Sequence, residues 1–386
     1  MRVYSDIDSS YIRIGVALKY LIPLVGFSVY LSVLGSIART LVIPRGKIRG
    51  LRRLSDVLVE YLYRLILLPI KHYEQRDSFR ASQPAVVIFT NLIIWMVLLL
   101  FSLTLMIYPA VTDVKQAVRE AGASLLTLGF TSTPNAWATT VDFIGGFTGL
   151  TIVALQISYL PTLYAAFARR ETEVSLLTAR AGQPPWGPEM LARTRVGIVN
   201  MRDSSKELAD YYHTWERWAA DVEESHSTYP ILLRFRSPNP YSSWLVALLA
   251  VMDSAALFLS LSPTDAPVEA RLCLRMGFSA LRSIGRTLRI AFDEDPSPTD
   301  AINLSFEDFK VGIARITEVD FPVERGIEQA WREFKGWRVN YESLAYALTK
   351  EIDAVPAPWS GTRRRSEPII ETIRVINRTP DNPSGN

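Results

Sequence analysis

The chain has 386 residues, of which 48% are hydrophobic and 21% charged, and its formal net charge is +3. A single cysteine, Cys273, excludes an intrachain disulfide framework and a cysteine-rich zinc module. So balanced a charge gives no electrostatic footprint for nucleic acid. Because a mean hydropathy of +0.12 is high for this content of charge, we expect the apolar residues to be gathered in membrane-spanning blocks.

The first apolar block covers residues 15–43 and is interrupted only by Lys19 and Arg39 near its ends. About 20 apolar residues are enough to cross a bilayer. We therefore predict a transmembrane helix in the N-terminal segment 1–43. A signal peptide is the alternative, but the block is too long and lacks a small-x-small cleavage site.

The next segment, residues 44–84, is predicted to be a cytoplasmic linker because basic residues outnumber acidic ones there. Within it, residues 54–70 are apolar apart from Asp56, Glu60 and Arg64, which recur every four residues. This spacing gives a polar stripe along a helix lying in the membrane interface. A further membrane pass at this point stays open as an alternative and would move the N-terminus inside.

Two further spans are predicted downstream. Residues 85–110 contain no charged residue, which makes them the clearest transmembrane segment of the chain. Residues 137–168 carry only Asp142 near their outer end and stop at Arg169 and Arg170. Because arginines mark the cytoplasmic end of a span, the chain after Arg170 is expected inside the cell.

Residues 171–360 alternate charged and aromatic residues in helical patterns, which predicts a helical cytoplasmic domain. Residues 244–261 resemble another span by composition, but Asp253 lies at their centre and an arginine-rich stretch follows. We prefer a helix buried in the core of this domain, since a span would export those arginines. Residues 361–386 are predicted to form a disordered tail.

The loop between the second and third spans contains the sequence Ser-Leu-Leu-Thr-Leu-Gly-Phe-Thr at positions 124–131. This resembles the pore loop of the tetrameric potassium-channel superfamily, whose filter reads Thr-Val-Gly-Tyr-Gly. The resemblance covers about residues 85–170. It implies an all-α membrane protein with transmembrane helices, a re-entrant pore loop and, in this chain, a helical cytoplasmic domain.

The resemblance also implies roles for single residues. Thr127 supplies a carbonyl and a hydroxyl at the inner end of the filter, Leu128, Gly129 and Phe130 supply carbonyls, and residues 113–123 form the pore helix. A ring of such carbonyls replaces the hydration shell of a cation. Thr131 stands where the family has its second glycine, and a glycine-like conformation there costs roughly 1–2 kcal/mol. Potassium selectivity and weakly selective cation conduction therefore both stay open.

One pore loop per chain and no internal repeat imply a homotetramer. The third span then lines the cavity below the filter, where Gly145, Gly146 and Gly149 serve either for bending or for close helix contact, and Pro161 kinks the inner end. No cofactor is expected, and the permeant species is K⁺ or another monovalent cation.

Three other clusters are interpreted as ordinary surface, each with an alternative. His213 with Asp210, Glu216 and His226 suits a solvated helix face better than a metal site. The acidic residues 293–295 with Asp300 lack the pattern of a calcium loop. Five arginines recur along one helix face and either bind anionic headgroups or a phosphorylated ligand, or pair with acidic helices such as residues 305–318: Arg271, Arg275, Arg282, Arg286 and Arg289.

We find no nucleophile elbow, Walker loop or dinucleotide fingerprint, so we do not expect an enzyme. The favoured function is a homotetrameric, preferentially potassium-conducting channel of the plasma membrane, gated by its cytoplasmic domain. The alternative is a membrane-anchored scaffold or sensor whose helical domain binds a partner and which conducts nothing. A transporter subunit with similar loops needs four loops in one chain, which the absence of repeats opposes.

Overall fold

The computed structural model describes residues 2–43, 50–111, 113–195, 201–374 and 380, and within them every regular element is a helix. The basic residues Arg45, Lys47 and Arg49 of the predicted linker lie outside the described residues, as do residues 375–379 and 381–386 of the predicted tail. The helices are α1 (Arg2–Ile37), α2 (Leu51–Ile66), α3 (Tyr73–Arg80), α4 (Gln83–Ile107), α5 (Val114–Leu125), α6 (Ala136–Ala181), α7 (Gly187–Arg195), α8 (Met201–Thr228), α9 (Trp244–Leu261), α10 (Val268–Leu288), α11 (Phe306–Thr317), α12 (Ile327–Arg338) and α13 (Glu342–Ile352).

The chain divides into two compact units. Unit 1 contains the described residues up to Leu65 together with Ala85–Leu163, and unit 2 contains Ile66–Pro84 and the chain from Tyr164 onward. The predicted linker 44–84 is therefore split between the two units. Helix α6 belongs to unit 1 up to Leu163 and to unit 2 beyond it.

Four helical segments of the described chain are long and apolar enough to cross a membrane: Tyr20–Val42, Tyr73–Ala110, Ala136–Ala181 and Trp244–Leu261. The first lies within the predicted block 15–43, and the next two contain the predicted spans 85–110 and 137–168, whereas α2, the alternative site of an extra pass, is not among the four. The fourth is α9, and 94% of it is buried inside the protein. The expected burial of this helix is thus confirmed.

Small and polar side chains bring the long helices of unit 1 together. A Cβ added at Gly26 would lie 2.8 Å from the carbonyl oxygen of Ser102, so α1 and α4 approach each other closely there. The Ser102 hydroxyl in turn donates to the Gly26 carbonyl at 2.7 Å. The hydroxyls of Tyr30 and Thr148 lie 2.6 Å apart and join α1 to α6. Such contacts stabilise helix packing in lipid. The hydrophobic effect does not drive helices together there, because the acyl chains are as apolar as the side chains.

Helix α2 turns its polar side inward and its apolar side outward. Glu60 of the predicted polar stripe is buried and pairs with Arg64 at 2.9 Å, and the Ser55 hydroxyl donates to Asn91 of α4 at 2.7 Å. Beside the arginines Arg53 and Arg64, seven large apolar or aromatic side chains of this helix are exposed: Leu54, Val57, Leu58, Tyr61, Leu62, Leu65 and Ile66. A surface helix in water keeps most such side chains on its buried face.

The core of unit 2 is built around α9, and a buried ion pair neutralises the one carboxylate of that helix. Asp253 Oδ1 lies 2.5 Å from Arg338 Nη1, and the Tyr341 hydroxyl donates to the same oxygen at 2.8 Å. The Arg338 Nε donates to Glu342 at 2.9 Å. A buried charge is tolerated only with such partners. Cys273 is also buried here, and this burial raises the pKa of its thiol.

The segment 361–374 differs from the predicted disordered tail, because it packs against unit 2. The Arg363 guanidinium is buried and donates to the carbonyls of Ala354 at 2.6 Å and Ser360 at 2.9 Å. Ile373 donates its N–H to the Gln183 carbonyl at 2.7 Å and accepts from the Gln183 N–H at 3.0 Å. The composition of the segment predicted disorder. Composition cannot show that backbone carbonyls elsewhere in unit 2 hold the Arg363 guanidinium.

Candidate functional site

The predicted pore loop lies in unit 1, between two membrane-length helices. Asp113 is extended, with φ −142° and ψ 144°, and precedes the 12 residues of α5. Residues 126–135 are not helical, and α6 begins directly after them. The Asn135 side chain accepts hydrogen bonds from the N–H groups of Trp137 at 2.9 Å and Ala138 at 3.3 Å, which caps α6. Helix α5 coincides with the expected pore helix to within two residues.

The chain reverses at the end of α5 through two left-handed residues. Thr127 has φ +56° and Gly129 has φ +64°. The N–H groups of Leu128 and Gly129 both donate to the Ala123 carbonyl, at 2.8 Å and 3.4 Å. A Cβ on Gly129 would meet nothing within 4 Å, so glycine is favoured there by its backbone angle and not by space.

The strained threonine of the loop is not the one expected. The sequence placed the glycine-like conformation at Thr131, yet φ at Thr131 is not positive, whereas φ at Thr127 is. The reason is local: the left-handed residues terminate α5, and they therefore fall within four residues of its end. The Thr127 hydroxyl donates to the Leu126 carbonyl at 2.7 Å.

Backbone carbonyls follow this reversal without hydrogen-bond partners. Within the described chain, none of the five carbonyl oxygens from Thr127 to Thr131 accepts a hydrogen bond. Residues 127–130 are exposed in the single chain, with Leu128 at 60% and Phe130 at 56%, and Thr131 is half-buried. The guanidinium of Arg119 lies over the Phe130 ring, 5.8 Å from its centroid.

A buried carboxylate on α5 holds the outer arm of the loop. Glu120 is fully buried and accepts hydrogen bonds from the N–H of Thr133 at 2.9 Å and from the Thr133 hydroxyl. The amide of Gln116 reaches the same hydroxyl at 3.3 Å. Sequence reasoning missed Glu120. The signal was its position beside Ala117, Ala121 and Ser124 on a face of α5 formed by small residues.

A second carboxylate ties α6 to the end of α5. The Ser124 hydroxyl contacts the carboxylate of Asp142 and lies 3.0 Å from the backbone carbonyl oxygen of Glu120. Asp142 was expected near the outer end of the third span. Its partner on α5 could not be read from the sequence.

The three glycines of α6 lie against the end of α5. A Cβ on Gly149 would lie 1.9 Å from the Leu125 carbonyl oxygen, on Gly145 3.3 Å from Ser124 Cβ, and on Gly146 3.5 Å from the Ser124 carbonyl oxygen. Of the two roles left open, close helix contact is therefore the one that Gly149 fulfils. Helix α6 continues without a break through the glycines and through Pro161.

The opposite face of α6 is apolar and uncovered within the described chain. Four of its exposed large apolar side chains recur at helical spacing: Phe143, Phe147, Leu150 and Ile157. Ser158, a polar residue of this helix, donates to the Ala154 carbonyl at 3.1 Å. Its hydroxyl is thus satisfied by its own helix.

A buried arginine fixes the part of α6 that belongs to unit 2. Arg170 donates to the carbonyls of Leu232 at 2.9 Å and Phe235 at 2.8 Å, and its Nη1 lies 2.9 Å from His226 Nε2. It also pairs with Glu171 at 2.8 Å. Burial, and then the charge of Arg170, lower the pKa of His226 well below its usual value, so the imidazole is neutral and Nε2 accepts the hydrogen bond.

The clusters weighed for metal binding do not assemble. His213 is exposed and lies 3.7 Å from Glu216, whereas His226 is buried beside Arg170. The Asp293 and Asp300 side chains accept hydrogen bonds from loop N–H groups. In the described parts of the chain, no group of three or more metal-ligating side chains comes together.

Comparison of the chain with models of known protein families, with curated proteins and with solved structures gave no match.

Proposed function

We propose that the chain is one subunit of a homotetrameric cation channel that conducts potassium in preference to sodium. The observation that carries this proposal is the run of five partnerless carbonyls, Thr127 to Thr131, placed between two membrane-length helices directly after a short helix. Irregular backbone at membrane depth is tolerable only where it lines a water-filled path. Carbonyl oxygens in such a path coordinate dehydrated cations.

The supporting architecture serves to hold this run in place. Left-handed Thr127 and Gly129 turn the chain away from α5, and the Glu120 carboxylate fixes Thr133 beyond the run. Rigid placement from both sides suits a filter, because coordination of a small ion needs oxygens held within tenths of an ångström. The C-terminal end of α5, with its partial negative charge, also favours a cation.

Four copies are required for a closed ring of oxygens, since each chain supplies one loop. The uncovered apolar face of α6, with Phe143 and Phe147 at its outer part, is available for contacts between inner helices or with lipid. We assign α6 as the inner helix. Conduction is passive, and ions enter and leave the carbonyl sites without a resident cofactor.

The topology follows from the distribution of arginines. Basic residues after α1 and the pair Arg169–Arg170 lie on the same side by the positive-inside rule, which gives three passes of the plasma membrane and a cytoplasmic unit 2. The outward apolar side chains of α2, such as Leu58 and Tyr61, suit a helix lying in the membrane interface. We assign gating to unit 2, because Arg170 fixes the last turns of the inner helix within it.

The test is potassium and sodium flux into liposomes that contain the purified protein. We expect wild type to pass K⁺ faster than Na⁺ and Gly129→Asp to pass neither, with tetramers intact by light scattering. Gly326→Asp is the matched control, because a side chain at Gly326 also meets nothing within 4 Å and aspartate is a good N-cap for α12. Equal flux in the Gly129 variant would remove Thr127–Phe130 as the filter. A monomeric, impermeable wild type would favour the scaffold function.

A further inference from the structure

Helix α10 carries a stripe of arginines that the proposed channel does not use. The four arginines at positions 271, 275, 282 and 286 fall within an arc of about 60° on a helix with 3.6 residues per turn. Arg289 follows as the left-handed residue that ends the helix. The opposite face is buried in unit 2, with Cys273, Leu274 and Leu281 in its core. The stripe therefore faces away from the core along roughly 22 Å of helix.

The arginines do not pair with the acidic helix that the sequence offered as their partner. In the part of the chain that the structure describes, only Arg286 of the five forms an ion pair, with Glu294 at 2.9 Å, and both of these side chains are more than half exposed. Helix α11, within the candidate acidic segment 305–318, instead uses its own basic residue Arg315 to reach Glu189 at 2.5 Å. Pairing within the described chain thus leaves most of the stripe uncompensated.

One arginine of the stripe is held in place without a polar partner. The Arg282 guanidinium lies over the Phe278 ring at 5.3 Å, and its buried Nε has no hydrogen-bond partner in the described protein. A ring under a guanidinium orients it and leaves its remaining N–H groups for an external acceptor.

Exposed apolar side chains flank the stripe at its N-terminal end. Val268 is 53% exposed and Leu272 is 39% exposed, and both lie within about 100° of Arg271 around the helix. Basic residues beside exposed aliphatic ones are typical of helices that lie on anionic bilayers, where arginines meet headgroups and aliphatic side chains enter the acyl boundary. A single soluble phosphate matches this surface less well, since it can contact only a small part of the arginine stripe.

We propose that this surface, defined as Arg271, Arg275, Arg282 and Arg289 with Val268 and Leu272, binds the anionic headgroups of a membrane leaflet. The inference rests on the cytoplasmic position of unit 2 in the proposed function, because the cytoplasmic leaflet is the anionic one. It does not depend on conduction. Lipid binding and ion flux can therefore fail separately.

The experiment is a calorimetric titration of the purified full-length protein in detergent micelles. The probes are dioctanoyl-phosphatidylglycerol, dioctanoyl-phosphatidylcholine and inorganic phosphate. The variant replaces three exposed arginines of the stripe, Arg271→Gln, Arg275→Gln and Arg289→Gln. The matched control removes three positive charges elsewhere on unit 2, Lys310→Gln, Arg332→Gln and Lys350→Gln. Arg332 and Lys350 are exposed, and Lys310 is partly exposed.

We expect wild type and control to bind phosphatidylglycerol and not phosphatidylcholine, and the stripe variant to bind phosphatidylglycerol roughly a hundredfold more weakly. A fourth protein with Arg→Lys at the same three positions should retain most of the affinity, because the charge is kept. A thermal midpoint of the glutamine variant equal to that of wild type shows that any loss of binding is not a loss of fold.

Three results would overturn the proposal. Undiminished phosphatidylglycerol binding by the stripe variant excludes this surface as the lipid site. Inorganic phosphate binding as tightly as phosphatidylglycerol assigns the arginines to a soluble phosphorylated ligand. A change in oligomeric state of the glutamine variant, with lipid binding absent from wild type, assigns them to a contact between copies of the chain.

Discussion

The Glu120 carboxylate accepts a hydrogen bond at 2.9 Å from the backbone N–H of Thr133, which lies 13 residues further along the chain. This bond joins the middle of α5 to the non-helical segment that leads into α6. Because Glu120 is fully buried, the bond is shielded from water and is stronger than it would be at the surface.

Removing this carboxylate should loosen the loop. For Glu120→Ala we expect the free energy of unfolding to fall by about 2–3 kcal/mol, because the two hydrogen bonds to Thr133 involve a charged acceptor. The measurement is the thermal midpoint of the purified protein in detergent. Glu328→Ala, at an exposed position in the first turn of α12, is the control. Identical midpoints for the two variants would show that Glu120 does not hold the loop.

Gly149 should tolerate no side chain. Its Cβ would lie 1.9 Å from the Leu125 carbonyl oxygen, so Gly149→Ala must push α6 away from α5, at a cost of about 1–3 kcal/mol or more. Gly146→Ala is the matched variant, because its Cβ would lie 3.5 Å from the nearest atom. We expect lower stability and reduced ion flux for the first and near wild-type values for the second. Equal behaviour would contradict the close contact.

Acid should destabilise unit 2 through His226. The pKa of this imidazole is lowered in the folded protein by burial and by Arg170, whereas the unfolded chain has a value near 6.5. Below about pH 6.5 only the unfolded state takes up the proton, so stability is lost as pH falls, by up to about 1.4 kcal/mol per pH unit.

The variant His226→Gln checks this origin, because an amide oxygen can accept from Arg170 but does not titrate. We expect wild type to lose more unfolding free energy than the variant between pH 8 and pH 5.5 in chemical denaturation. Parallel losses in the two proteins would assign the acid sensitivity to other groups.

The segment 361–374 should resist proteolysis as long as Arg363 is present. Its guanidinium donates to carbonyls of Ala354 and Ser360, and the single ammonium of lysine cannot reproduce that planar set. We expect Arg363→Lys to expose the bonds after Arg364 and Arg365 to trypsin at least several times faster than in wild type. Arg364→Lys, at a partly exposed residue paired with Glu351, should leave the cleavage rate after Arg365 unchanged.

Local patterns predicted the helices of unit 1 well and its contacts poorly. Hydropathy located the apolar helices, and the position of the loop located α5, because both are properties of neighbouring residues. The anchoring of Thr133 by Glu120 and the burial of Arg363 depend on residues brought together by folding. The left-handed Thr127 was missed for another reason. The resemblance pointed to Thr131, where the family has a glycine, whereas the left-handed conformation lies at Thr127, where α5 ends.

Helix α9 has the composition of a membrane span, yet the arginine that neutralises its Asp253 lies 85 residues further along the chain. At about 5–20 residues per second, a ribosome takes roughly 4–17 s to reach Arg338 after Asp253. During that interval an apolar helix with an unpaired carboxylate is present in the nascent chain beside a membrane. The carboxylate adds about 2.5–3.5 kcal/mol to the cost of insertion. Asp253 therefore makes membrane insertion of this helix less favourable even before Arg338 has been synthesised.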